Sequence, residues 1–199
     1  MQARAIFEAL YIVSLEQKIP DIEIMIPLAA CSKEIKDCKE IIIEVSKKDF
    51  EEKNTKFDFK IGTMIELPRA AICATNLAKE ADFFSFGTND LTQTALGISR
   101  DDSNSFLHHY VEKDIYKTDP FVTIDVEGVG KLVKIAVEEG KIAKPNIKLG
   151  ICGEHGGDPS SIEFFEEVGL DYVSCSPYRV PIAKLAASQA FIKKKITSN

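Results

Sequence analysis

Two acidic side chains lie just beyond short apolar runs, near the points where the strands of a parallel sheet would end. Glu66 follows residues 60–65, and Asp90 closes a short polar segment after residues 82–86. Because neighbouring parallel strands end at one edge of a sheet, two such oxygen ligands would suit a Mg2+ ion that keeps water or substrate in its other positions. Capping of a helix by Glu66 and an Asx turn at Asp90 would explain the same pattern. The spacing by itself therefore leaves both interpretations open.

A third polar group ends another apolar run. Cys152 closes residues 148–152 and is followed by a loop with glycines at positions 153, 156 and 157. Those glycines would let the backbone approach a ligand closely. A free thiol has a pKa of about 8.5, so at neutral pH it is mostly protonated and can donate a proton. A small buried hydrophobic residue is the alternative interpretation of Cys152.

The three histidines lack the i, i+4 spacing of a helical metal pair. His108 and His109 are adjacent, and we expect a surface or turn position for both. His155 lies in the glycine loop, where a hydrogen bond within the loop would explain it as well as a functional role. We interpret the remaining cysteines as packing residues: Cys31, Cys38, Cys73 and Cys175.

Composition narrows the class of protein. The chain has 199 residues, 45% of them hydrophobic, with 31 acidic and 25 basic side chains and a net charge of -6. The acidic balance argues against nucleic-acid binding. No apolar stretch approaches the roughly 20 residues that span a bilayer, and the N-terminus does not resemble a signal peptide. The odd number of cysteines favours a reduced compartment. We therefore predict a cytoplasmic protein with no membrane partner.

Apolar runs alternate with helical patterns along the chain. The predicted strands are residues 22–28, 60–65, 82–86, 148–152 and 171–175; the predicted helices are residues 2–17, 33–53, 69–79, 128–140, 159–169 and a last one from 177. Residues 91–128 are less regular. Apolar rather than alternating strands indicate a parallel sheet buried on both faces, as in doubly wound sheets and (β/α)8 barrels. No glycine-rich phosphate fingerprint follows a strand, which disfavours Rossmann and P-loop folds.

Four segments carry a family resemblance over nearly the whole chain. Residues 62–70, 84–93, 150–161 and 172–181 resemble the phosphoenolpyruvate-utilising enzymes, and residues 99–102, 119–121 and 155–161 are most similar to the dikinase branch of that family. The resemblance implies an α/β fold, a partial TIM (β/α)8 barrel made of roughly its last five β/α units. Residues 1–199 would then be one incomplete domain, the C-terminal portion of the barrel that binds phosphoenolpyruvate and pyruvate.

The resemblance also implies roles for individual residues. Substrate would be bound by Glu66, Gly87, Thr88, Asn89 and Asp90. Glu66 and Asp90 would also be the Mg2+ ligands. Cys152 would be the catalytic acid that protonates the pyruvate enolate at carbon 3. These implied roles agree with the positions at the strand ends.

The implied activity is that of a phosphotransferase that converts ATP, pyruvate and phosphate into AMP, phosphoenolpyruvate and diphosphate. In the family a phosphohistidine on a swivelling domain carries the phosphoryl group, a further domain binds the nucleotide, and arginines on earlier strands hold the phosphoryl oxygens. The chain contains no such arginine strands, so we expect no turnover from it alone. A homodimer is implied, and unpaired strand edges would favour self-association or aggregation.

Other functions remain as alternatives. A sibling such as phosphoenolpyruvate synthase or enzyme I of the sugar phosphotransferase system shares the core motifs. A Mg2+-dependent lyase on a related barrel would use the same metal position. A non-catalytic dimerisation module would use the domain only for assembly.

Overall fold

Helices and strands alternate along the chain in the computed structural model, which describes residues 1–19 and 21–197. The strands are β1 (Ile22–Ile26), β2 (Phe59–Ile65), β3 (Phe83–Gly87), β4 (Lys148–Cys152) and β5 (Tyr172–Val173). The helices are α1 (Gln2–Ser14), α2 (Ser32–Glu52), α3 (Pro68–Ile72), α4 (Ala74–Glu80), α5 (Thr88–Leu96), α6 (Arg100–Ser103), α7 (Leu107–Glu112), α8 (Val129–Ala143), α9 (Pro159–Val168) and α10 (Val180–Thr197). Two 3-10 turns lie at Glu154–Gly157 and Pro177–Arg179.

The five strands form one parallel sheet in the order β1-β2-β3-β4-β5. The predicted α/β class and the parallel sheet are confirmed. A doubly wound sheet reverses its strand order at a switch point, and this order does not reverse. With right-handed crossovers, a sequential order places the connecting helices on one face of the sheet. The strands of a (β/α)8 barrel follow one another in the same sequential order.

The two faces of the sheet differ in chemistry. Side chains alternate along a strand, and one set, which includes Ile61, Phe84 and Ile151, joins the main hydrophobic core with the helices. The other set includes Glu23 and Lys148, whose side chains form an ion pair at 2.9 Å and are only partly buried. The expectation of strands buried on both faces is confirmed for β3, whose five residues are all buried, and is wrong for β1 and β4 at Glu23 and Lys148.

Close packing joins the helices to the core face. The Phe7 ring on α1 lies 5.3 Å from the Phe50 ring on α2, in an edge-to-face arrangement. On α8, a Cβ at Gly140 would lie 2.9 Å from the ring of Phe84, so the helix approaches the sheet where it has no side chain. This packing fixes the position of α8 against the sheet. The sheet in turn positions the strand ends that carry the site.

The predicted elements differ from the observed ones in two places. The predicted helix 69–79 is two helices, α3 and α4, because Cys73 between them leaves helical geometry at φ -102 and ψ 21. The segment 91–128 is more regular than expected, since α5 continues to Leu96 and is followed by α6 and α7. None of the helices in the described part of the chain has the length and hydropathy needed to cross a bilayer.

Candidate active site

Glu66 lies at the carboxyl edge of the sheet, immediately after β2. Its side chain is only 3% exposed, and its Oε1 accepts a hydrogen bond of 2.7 Å from the backbone N–H of Leu28. Leu28 has a φ of 53, an uncommon conformation for a residue with a Cβ. The loop after β1 is thus held in a strained geometry that directs one N–H at this carboxylate.

Asp90 lies beside Glu66, in the first turn of α5. Burial raises the pKa of Glu66, and the charge of Asp90 and a hydrogen bond with it raise that pKa further. Gly87 makes this approach feasible, because a Cβ there would lie 2.7 Å from Glu66 Oε2 and 2.8 Å from Glu66 Cβ. A buried carboxylate that meets a partly buried one is a natural ligand pair for a divalent cation.

A chain of polar contacts connects Asp90 to Asn89 by way of the loop after β4. Gln93 donates to Asp90 Oδ1 at 3.0 Å and accepts from the backbone N–H of Arg100 at 2.6 Å. The guanidinium of Arg100 lies 3.4 Å from Glu154, whose backbone N–H donates to Asn89 Oδ1 at 3.2 Å. Because its oxygen is already bonded, Asn89 has its amide NH2 group left to donate.

Cys152 is half-buried at the end of β4. Its Sγ accepts a hydrogen bond from Ser85 Oγ at 3.4 Å and lies 3.7 Å from the carbonyl oxygen of Phe86. Burial raises the pKa of the thiol, and the nearby charge of Glu66 raises it too, whereas the Ser85 hydroxyl lowers it. Cys152 is therefore a protonated thiol at neutral pH, with a hydroxyl placed to stabilise the thiolate that remains after proton transfer.

Tyr172 belongs to the same group of side chains, although sequence reasoning did not select it. Its pKa is raised by burial, and it is within hydrogen-bonding reach of Ser85. Its ring covers Gly150, where a Cβ would lie 2.0 Å from Tyr172 Cζ. Ser85, Gly150 and Tyr172 stand at neighbouring positions of β3, β4 and β5. No local sequence pattern signals this group, because the contact depends on how the three strands are aligned in the sheet.

His155 is fully buried in the 3-10 turn that follows Cys152. Its Nδ1 lies 2.7 Å from Thr88 Oγ1, and its Nε2 lies 2.8 Å from the carbonyl oxygen of Pro120. Burial lowers the pKa of His155, so the neutral imidazole is favoured. The hydrogen bond expected for this residue is present, but it reaches beyond its own loop.

The other sequence candidates lie elsewhere. His108 and His109 stack on each other on α7 and are exposed, as expected. All five cysteines are free, and Cys73 and Cys175 pack against hydrophobic clusters. Cys38 is exposed, so its interpretation as a packing residue was wrong. Within residues 1–19 and 21–197, no three His, Cys, Asp or Glu side chains come together as a metal cluster. Any ion held by Glu66 and Asp90 would need further ligands from water or substrate.

The chain combines a parallel α/β fold with paired carboxylates at the carboxyl edge of the sheet. Comparison with known proteins identifies the class of protein that has this combination. Residues 1–191 match the family described as PEP-utilising enzyme, PEP-binding domain. The chain belongs to this family of phosphoenolpyruvate-utilising enzymes.

Its relatives within the family are pyruvate, phosphate dikinases. The chain is 54% identical over 196 residues to the enzyme of Clostridium symbiosum, covering 98% of this chain and 22% of that protein. It is 58% identical over 193 residues to that of Rhizobium meliloti, covering 96% of this chain and 22% of the relative. The chloroplastic enzyme of Arabidopsis thaliana is 55% identical over 192 residues, with 96% and 20% covered. The chain therefore spans about a fifth of the length of these relatives.

A solved structure supports the fold. A citrate lyase from Burkholderia xenovorans superposes with a TM-score of 0.57 at 14% identity, covering 93% of this chain and 52% of that one. At this identity the likeness concerns the arrangement of helices and strands.

Proposed function

We propose that this chain carries the phosphoenolpyruvate/pyruvate site of a pyruvate, phosphate dikinase. The reaction would convert ATP, pyruvate and phosphate into AMP, phosphoenolpyruvate and diphosphate through a phosphohistidine on another domain. One observation carries the proposal: the buried Glu66 carboxylate, the partly buried Asp90 carboxylate and a protonated thiol lie at the ends of three neighbouring strands, at one edge of the sheet. The identity of 54% to a named dikinase supports the same function.

Glu66 and Asp90 fit a Mg2+ ion. Burial raises the pKa of Glu66 and the charge of Asp90 raises it further, so a cation between the two carboxylates would relieve their repulsion. When bound there, the ion would act as a Lewis acid that stabilises negative charge on the enolate oxygen and the carboxylate of the substrate. Glu66 is held for this role by the Leu28 N–H, and Asp90 by the Gln93 amide.

Residues at the start of α5 would bind the substrate. Gly87 precedes the helix, and the N–H groups of Thr88 and Asn89 lie in its first turn, where the helix itself does not use them. A helix N-terminus favours anionic groups such as the carboxylate of pyruvate. The Asn89 amide NH2 adds a side-chain donor, because its oxygen is engaged by Glu154.

Cys152 would supply the proton in the direction of pyruvate. The Sγ–H bond breaks, the proton moves to carbon 3 of the enolate, and the pyruvate methyl group forms. The thiolate that remains is stabilised by the Ser85 hydroxyl and takes its next proton from solvent. In the direction of phosphoenolpyruvate, the thiolate removes the same proton.

The sequential order of the parallel strands and the Glu23–Lys148 ion pair on the second face of the sheet support a partial (β/α)8 barrel. Residues 1–199 would form one part of that barrel domain. The remaining strands, with their arginines, the phosphohistidine domain and the nucleotide-binding domain would belong to the longer protein, which we propose to be a cytoplasmic homodimer.

Binding of oxalate, a mimic of the enolate, tests the proposal on this chain. We expect calorimetry to show oxalate binding that requires Mg2+. Glu66→Gln and Asp90→Asn should each weaken it at least about tenfold, since each removes one charged ligand. Asp101→Asn, an exposed change on α6, is the matched control. Absence of Mg2+-dependent binding by the unmodified chain would contradict the proposed site.

The alternatives predict other products. In an enzyme completed with this chain, a dikinase passes the second phosphoryl group to phosphate, whereas a phosphoenolpyruvate synthase passes it to water. A lyase would cleave a carbon–carbon bond without a phosphohistidine. Diphosphate formation that depends on added phosphate would therefore favour the dikinase over both.

A further inference from the structure

His155 connects three segments that are far apart in the sequence. It lies in the turn after Cys152, its Nδ1 meets Thr88 at the start of α5, and its Nε2 meets Pro120 in the connection between α7 and α8. The side chain is fully buried, so water does not replace either partner. A buried imidazole with two good hydrogen bonds is held in one orientation.

The partners determine where the imidazole proton lies. The carbonyl oxygen of Pro120 only accepts, so Nε2 carries the hydrogen and donates at 2.8 Å. In the neutral ring Nδ1 is then an acceptor, and the Thr88 hydroxyl must donate to it at 2.7 Å. The carbonyl oxygen of Cys152 lies 3.5 Å from the same hydroxyl and is the weaker acceptor. His155 thus fixes the direction of the Thr88 hydroxyl.

The backbone around His155 reinforces the connection to α5. Glu154 donates its N–H to Asn89 Oδ1 at 3.2 Å. Gly153, at a φ of 117, lies so close to α5 that a Cβ would be 3.0 Å from Thr88 Oγ1 and 3.1 Å from Asn89 Oδ1. The turn after the thiol and the first turn of α5 therefore pack as one unit, and the His155–Thr88 bond is its buried contact.

We propose that His155 is a positioning residue. Through its Nδ1–Thr88 hydrogen bond it keeps Thr88 and Asn89 at a fixed position relative to Cys152. This inference rests on the proposed function, because Thr88 and Asn89 are the groups proposed to bind the substrate. The bond to Pro120 serves to orient the ring. Loss of the Thr88 bond should therefore disturb ligand binding more than loss of the Pro120 bond.

Two conservative variants separate the two bonds. In His155→Asn the amide oxygen can replace Nδ1 as the acceptor for Thr88, and the Pro120 bond is lost. In His155→Gln the longer amide can donate to Pro120 in place of Nε2, and the Thr88 bond is lost. Thr88→Val removes the hydroxyl and leaves His155 in place, so it tests the same bond from the other side.

Three measurements on the 199-residue chain decide the inference. Imidazole 15N shifts should show the Nε2–H form in the unmodified chain. His155→Gln and Thr88→Val should weaken Mg2+-dependent oxalate binding at least about fivefold, and His155→Asn less than about twofold, as expected for one net hydrogen bond. Amide hydrogen exchange of residues 92–94, whose N–H groups bond to the carbonyls of the first turn of α5, should accelerate in the first two variants and not in the third. The double variant that combines Thr88→Val with His155→Gln should bind oxalate only slightly more weakly than either single variant, because both remove the same bond.

The contrary results are equally distinct. Equal oxalate affinity and equal exchange in His155→Asn and His155→Gln would overturn the positioning role, as would an Nδ1–H tautomer. If the unmodified chain binds no oxalate, the proposed function fails and the exchange data alone decide the inference. Faster exchange in His155→Gln than in His155→Asn then supports the positioning role of His155, and equal exchange overturns that role.

Discussion

The meeting of Glu66 with Asp90 is the feature on which the proposed chemistry depends at the scale of single residues. Burial and the second carboxylate both disfavour ionised Glu66, and the Leu28 N–H offsets only part of that cost. Functional sites commonly store such unfavourable arrangements. A divalent cation bound there would stabilise both the buried Glu66 carboxylate and the partly buried Asp90 carboxylate.

Gly87 is the residue that permits this approach. We predict that Gly87→Ala displaces Glu66, lowers the free energy of unfolding by about 1–3 kcal/mol through overpacking, and weakens Mg2+-dependent oxalate binding. Gly97→Asn is a suitable control, since Gly97 has a φ of 66, which Asn tolerates, and open space around its Cβ position. Oxalate calorimetry and urea unfolding measure both effects. Binding by Gly87→Ala equal to that of the control would contradict the proposed geometry.

Sequence reasoning selected the carboxylates and the thiol because each lies at the end of an apolar run or within a few residues of it. That Glu66 and Asp90 lie together could be predicted from the parallel arrangement of the strands. Ser85 and Tyr172 were not selected, because they lie within strands and their contact depends on the register of β3, β4 and β5. Register is set by the packing of the whole sheet, and no local pattern reports it.

At the scale of elements, α9 holds the loop after Cys152 in place. Asp158 caps the helix, since its Oδ2 accepts from the backbone N–H of Ser161 at 2.9 Å and from its hydroxyl at 2.7 Å. The Ser161 hydroxyl in turn accepts from the backbone N–H of Ile124 at 3.0 Å. The cap therefore ties the start of α9 to the connection that carries Pro120.

We predict that Asp158→Ala lowers the free energy of unfolding by about 1–2 kcal/mol, as is typical of a lost N-cap. Ser160→Ala, an exposed change in the same turn, should have little effect. Urea unfolding followed by circular dichroism measures the difference. Equal midpoints for the two variants would show that this cap does not stabilise the fold.

The bounds of most elements follow from local signals. Pro159 and Gly169 mark the two ends of α9, where the helix begins with proline and ends at a glycine of φ 79. The division of the predicted helix 69–79 at Cys73 has no such signal, because no glycine or proline stands there. The short helices α6 and α7 were missed because they span only four and six residues, too few to show a helical period in the sequence.

At the scale of the whole molecule, β1 and β5 form the edges of the described sheet. An edge strand presents unpaired N–H and C=O groups to other chains. Next to β1, an apolar groove of 630 Å3 is lined by residues that include Met25, Ile41 and Val45. An open edge beside an apolar surface favours association.

We predict that the 199-residue chain self-associates with increasing concentration. Met25→Lys, which places a charge on the open side of β1, should shift the equilibrium toward monomer. Ile142→Lys, at a site 72% exposed on α8, controls for a general gain in solubility. Sedimentation velocity measures the distribution. A monomer at all concentrations, or an equal shift in both variants, would contradict association through β1.

The most direct test of the proposed chemistry concerns Cys152 in a complete enzyme. This chain would replace the homologous segment of the Clostridium symbiosum dikinase, with which it is 54% identical. NMR in D2O would follow exchange of the pyruvate methyl protons, and transfer of phosphate from ATP to the histidine would be measured alongside. We predict that Cys152→Ala lowers the exchange rate at least about 100-fold and leaves histidine phosphorylation by nucleotide intact. Methyl exchange at the unmodified rate in Cys152→Ala would contradict the assignment of Cys152 as the acid.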